Sequence, residues 1–259
     1  MKLHIVPART GTLWVKLGIQ TFFKQPMAFA GLFFIFMAAM MVLSLIPVLG
    51  NLLGLALLPG ANLGLMAATR EASGGKFPMP TVLLSAFRAG KTQLRAMLVL
   101  GGLYAAGFLL VLGISALADG GKFAKMYLVG GAMTPEVLQA GDFQLATLVA
   151  MALYMPLSLL FWHAPALVHW HGVAPLKSLF FSLVACLRNF GAMTLFGVMW
   201  MGVFLTAGIV VATVAGLLGG PDVVGAVMFP AAMLMASMFF TSLYFTFRDS
   251  FDSNQEDQP

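Results

Sequence analysis

Residues 25–69 read QPMAFAGLFFIFMAAMMVLSLIPVLGNLLGLALLPGANLGLMAAT, and no ionisable side chain interrupts them between Lys24 and Arg70. A hydrocarbon core about 30 Å thick takes about 20 apolar residues per helix. The stretch is long enough for two spans, with Ile46–Asn51 (IPVLGN) as the turn. Working outward, the ionisable residues Arg95 and Asp119, Asp142 and His163, Arg188 and Asp222, and Asp222 and Arg248 bracket four more apolar runs. The sequence predicts an all-α integral membrane protein with six transmembrane helices in three hairpins. Composition agrees: 60% of residues are hydrophobic and 9% charged, against about 25% charged in a soluble domain. The first apolar run starts only at Met27 and is too long for a signal-peptide core, so it reads as a retained span. The lone cysteine, Cys186, rules out an intramolecular disulfide.

Lysine and arginine mark the cytoplasmic ends of spans. With the N-terminus inside, Lys2, Arg9, Lys16, Lys24, Arg70, Lys76, Arg88, Lys91, Arg95, Lys177, Arg188 and Arg248 all fall inside, and only Lys122 and Lys125 fall outside. Both termini are therefore expected in the cytoplasm. These cations are spread over short loops, which suits anionic lipid headgroups and argues against a nucleic-acid partner. Residues 1–248 read as one polytopic domain with an outer loop at 119–143. In that loop TPEVLQAG predicts a short helix, with Thr134 as cap and Pro135 in the first turn. The acidic residues 249–259 read as a disordered cytoplasmic tail.

A threefold plan runs through the chain, in units of about 10–70, 80–170 and 174–248. Thr12–Lys24, Thr81–Arg95 and Pro175–Asn189 each precede a pair of spans and carry polar residues at steps of three and four. In the last of them these are Ser178, Ser182, Cys186 and Asn189. Such spacing draws a narrow polar stripe on an apolar helix. Each is expected to lie in the membrane interface with the stripe toward water. Lys16, Lys24, Arg88, Lys91, Arg95, Lys177 and Arg188 are the expected headgroup contacts. The second span of each pair contains a proline, at Pro59, Pro156 and Pro230, expected to kink it.

Few residues offer chemistry. His163, His169 and His171 are candidates for a metal or haem, but their spacing puts them on different helical faces. With Trp162 and Trp170 they read better as a belt of amphipathic rings at headgroup level. Asn62, one turn past Pro59, is the clearest polar residue inside a span. Its amide is expected to satisfy backbone freed by the proline or to bridge helices, with a substrate contact as the alternative. Gly60 and Gly64 allow close helix contact. No nucleophile with an adjacent base, phosphate loop or dinucleotide fingerprint is present. The expectation is a protein that is not an enzyme and holds no cofactor.

The stretch Phe161–Met193, FWHAPALVHWHGVAPLKSLFFSLVACLRNFGAM, resembles an uncharacterised family of six-span inner-membrane proteins of beta-proteobacteria. The matching pattern is Ala164–Val168, then Pro175–Ser178, then Ser182 and Arg188–Asn189. More distantly, the plan looks like the membrane domain attached to glycerophosphodiester phosphodiesterases, without their soluble catalytic barrel. The resemblance implies a multi-pass protein of the bacterial inner membrane and carries no activity with it. The expected role is a scaffold or accessory factor that contacts anionic lipid and a partner membrane protein. A carrier of lipid or another apolar ligand is the alternative, and a haem- or metal-binding protein a third.

Overall fold

The computed structural model describes residues 2–130 and 134–251. It is helical throughout, with no strand among the described residues. In chain order the helices are α1 (Thr10–Lys24), α2 (Pro26–Ser44), α3 (Leu49–Ser73), α4 (Ser85–Arg88), α5 (Lys91–Asp119), α6 (Lys122–Val129), α7 (Pro135–Gln139), α8 (Gly141–Phe161), α9 (Ala164–His171) and α10 (Pro175–Arg188). Two more follow, α11 (Phe190–Gly220) and α12 (Asp222–Phe251). Gly220, with φ +74°, separates the last two. Six stretches are long and apolar enough to cross a membrane: α2, α3, α5, α8 with α9, α11 and α12. Pro59, Pro156 and Pro230 each lie inside a helical run.

The chain divides into two compact units. The first holds α1, the start of α2, the end of α3, and α11 with α12. In α1, Gly11, Trp14, Val15, Gly18, Thr21 and Phe22 are buried on one stripe, while Lys16, Gln20 and Lys24 are exposed. The glycines set how close α1 comes: a Cβ on Gly11 would strike the Ala192 carbonyl, and one on Gly18 would strike Ser242. Trp14 then meets Phe196 edge-on at 6.1 Å. Phe22, Phe29, Leu32 and Phe33 pack with Leu65, Ala68, Ala72 and Val82 in the main apolar core.

The second unit is built on α5 and α8. Met97, Leu100, Gly101, Tyr104, Val111, Leu112 and Ser115 recur at helical spacing on the buried side of α5. Gly101 lies against the Ala56 carbonyl and Gly107 against the side chain of Leu157. Beyond α5 the chain reverses sharply. Gly120 and Gly121 take positive φ (+67° and +89°), a conformation with little strain only for glycine. Asp119 accepts the N–H groups of Gly121 (2.8 Å) and Phe123 (2.6 Å), which satisfies the first turn of α6. α6 ends where the Leu128 carbonyl accepts Val48 N–H (3.2 Å) and Asn51 Nδ2 (2.8 Å).

Three expectations are corrected. Thr81–Arg95 is not one interface helix: it is a 3-10 turn (Pro80–Leu84), the single turn α4, and then the start of α5. Gly90, at φ +108°, breaks it, because its backbone leaves the helical region. The stripe on α10 does not face water. Ser178, Ser182, Cys186 and Asn189 are buried, and Leu176, Phe180, Lys177, Leu187 and Arg188 are exposed instead. Short hydroxyls and amides tolerate burial once backbone groups pair with them. Finally, Asp249, Ser250 and Phe251 belong to α12 and not to a tail; residues 252–259 of that expected tail lie outside the described residues. The helix expected from TPEVLQAG forms as α7, without a side-chain cap from Thr134.

Candidate functional site

Every expected headgroup cation is exposed: Lys16 and Lys24 on α1, Arg88 on α4, Lys91 and Arg95 on the first turns of α5, Lys177 and Arg188 on α10. On α10 these cations share the outward side with Leu176, Phe180 and Leu187, which are 70%, 62% and 55% exposed. That combination suits a helix whose apolar side meets acyl chains while its cations reach headgroups.

A polar cluster that sequence reasoning missed lies in the first unit. Asn189 Oδ1 accepts Val6 N–H at 2.8 Å, and its Nδ2 donates to the His4 carbonyl at 3.0 Å. His4 N–H donates to the Ser250 carbonyl at 2.9 Å. One side-chain amide thus pairs with an extended peptide segment as a neighbouring strand would. Nearby in the chain, Trp14 Nε1 donates to Asp249 Oδ2 at 2.8 Å, and Arg248 Nε donates to Asp249 Oδ1 at 2.8 Å. The Arg248 guanidinium also sits 5.0 Å from the centre of the Phe245 ring, within cation–π range.

The histidine stretch contains a second built feature. His163 N–H would bond the Leu159 carbonyl in a continuous helix. Instead Ser182 Oγ stands between them, accepting His163 N–H (2.9 Å) and donating to the Leu159 carbonyl (2.8 Å). A side chain inserted into the helical ladder bends it, and Pro165, two residues on, has no N–H to donate. This separates α8 from α9. Ser182→Ala is expected to cost about 1–2 kcal/mol, because two hydrogen bonds from the hydroxyl to backbone are lost. The check is thermal unfolding of the variant in detergent; an unchanged midpoint would mean that the ladder closes without the hydroxyl.

His163 is buried behind this bend, while His169 and His171, on the last turn of α9, are half-buried. Among the described residues no three His, Cys, Asp or Glu side chains gather as metal ligands. Asn62 Oδ1 is buried with no hydrogen-bond partner among the described residues. In the connection between α5 and α8, Lys122 Nζ meets Asp142 Oδ2 at 2.5 Å on the surface. The carboxylate holds the Lys122 ammonium above its ordinary range, though so exposed a pair adds little to stability.

In the second unit an aromatic patch gathers three of the four tyrosines. Around Phe108 lie Tyr127 at 4.9 Å, Tyr154 at 6.0 Å and Tyr104 at 6.3 Å, centroid to centroid. The Tyr104 and Tyr154 hydroxyls are 3.3 Å apart.

Over 262 aligned positions the chain is 40% identical to a probable inner membrane protein of Burkholderia thailandensis, covering 100% of this chain and 97% of that one. The chain belongs to this family of inner-membrane proteins. Six apolar helices make the inner-membrane protein multi-pass. No family model and no solved structure matches the inner-membrane protein.

Proposed function

We propose that the inner-membrane protein is a non-catalytic scaffold or accessory factor that receives a partner membrane protein on α11 and α12. The observation that carries this reading is how little these two spans bury within the chain. Only 6% of the apolar window of each is buried, against 56% for α3. A Cβ on Gly197, Gly202, Gly208 or Gly225 would meet nothing within 4 Å. Small residues on open helical faces allow another helix to come close. In this reading the six spans form three hairpins, with the second helix of each bent at its proline. Both termini are cytoplasmic, supported by the inside bias of lysine and arginine. The seven exposed cations then hold the anionic leaflet, each adding about 1 kcal/mol near the surface.

The test is purification in native nanodiscs with identification of everything bound. A stoichiometric membrane protein is expected, and its recovery should drop at least several-fold in the double variant Gly202→Leu, Gly208→Leu, which leaves the fold unobstructed. Repeated purification with no stoichiometric partner overturns the reading. Asn62 favours a second reading, the binding of an apolar ligand that carries a donor for the unpaired Oδ1.

A further inference from the structure

We propose that the patch formed by Tyr104, Phe108, Tyr127 and Tyr154 binds a membrane-dissolved molecule that presents a carbonyl oxygen. This goes beyond the scaffold reading and does not depend on it. Between two phenols one hydrogen bond uses one proton. The Tyr104–Tyr154 bond therefore leaves one O–H donor of the pair without an acceptor among the described residues. Along α5, Tyr104 is roughly 13 Å from Arg95 and roughly 22 Å from Asp119, at 1.5 Å per residue. That is the depth of the hydrocarbon. Tyrosines of an interfacial belt satisfy their hydroxyls at the headgroups; this pair is too deep for that. Water is scarce here, and an unmade hydrogen bond is costly.

The rings supply the rest of the site. Tyr104 is 8% exposed and braced edge-on by Phe161 at 5.0 Å. Tyr154 and Tyr127 are 41% and 45% exposed, so both rings are partly accessible beside Phe108. Tyr127 reaches this position only because Asp119 and the two glycines turn α6 back along α5. Aromatic faces beside a lone donor suit a flat acceptor-bearing group. In a bacterial membrane the acceptor at this depth is a quinone ring carbonyl. It brings an acceptor and no donor, which is what the tyrosine pair lacks.

The test titrates purified, delipidated protein with decylubiquinone, following protein fluorescence. Saturable binding is expected in the wild type. Tyr154→Phe alone would leave the Tyr104 O–H free to donate, so the variant is Tyr104→Phe with Tyr154→Phe, which keeps both rings, removes the donor and should weaken binding roughly tenfold, the scale of one hydrogen bond. Decylubiquinol, which presents hydroxyls in place of the carbonyls, should bind more weakly than the quinone. If decylubiquinone does not bind the wild type, or binds the double variant as tightly, the proposal is overturned. Should the double variant not fold, Phe108→Leu removes the central ring face, and the same loss is expected of it.

Discussion

Asn189→Leu is expected to destabilise the protein by about 3 kcal/mol, since each buried backbone group left without a partner costs about 1–3 kcal/mol. The variant strands Val6 N–H and the His4 carbonyl together. Leucine matches the size of asparagine closely, so the loss isolates the amide. Cys186 reports on the same region: it is the only cysteine and is buried, three positions before Asn189. Labelling with a fluorescent maleimide during a temperature ramp should begin at least several degrees lower in Asn189→Leu. Asn189→Asp keeps an acceptor for Val6 N–H and loses the donor to His4, so it should fall between the two. If Asn189→Leu labels at the wild-type temperature, the N-terminal segment contributes nothing to holding this end of the first unit.

The second large effect comes from two neighbouring glycines. Gly101→Leu should cost about 3 kcal/mol or more, the upper range for forcing atoms into a packed site, because its Cβ would collide with the Ala56 carbonyl. Backbone cannot step aside as a side-chain tip can. Gly102→Leu, one residue on, meets nothing within 4 Å. It should be neutral or stabilising by up to about 1 kcal/mol, the helix-propensity gain over glycine. The two variants change composition and propensity identically, so only packing separates them. The thermal midpoint of each in the same detergent is the measurement. Equal midpoints would show that α5 does not approach Ala56 so closely.

The six spans were legible because charge is costly in hydrocarbon, and this chain keeps charge out of long stretches. The first amphipathic helix was legible too, since Lys16, Gln20 and Lys24 fall on its exposed side. The same rule misread α10. A polar–apolar pattern marks a stripe, but it does not say whether a serine bonds water or a carbonyl. Ser182 bonds a carbonyl, in a helical ladder many residues earlier. Asp249 was assigned to a tail because its neighbours are acidic, and only the Trp14 indole reveals its place in a helix. The Asp119-Gly-Gly turn carried a signal in the sequence, of the kind glycine pairs give, yet its consequence is spatial. It brings Tyr127 to Phe108, and no local pattern links those rings. Asn62 was expected to be paired, since amides in spans so often are; here the oxygen is not.

The hydrogen bonds at His4, Val6, Asn189 and Ser250 also impose an order on biosynthesis. Residues 4–6 leave the ribosome long before residue 250, whose carbonyl receives His4. At about 5–20 residues per second, the early segment waits on the order of 10–50 s for that acceptor. The His4–Val6 segment is thus fastened only after the sixth span has been made, and a chain halted before then carries it unsecured.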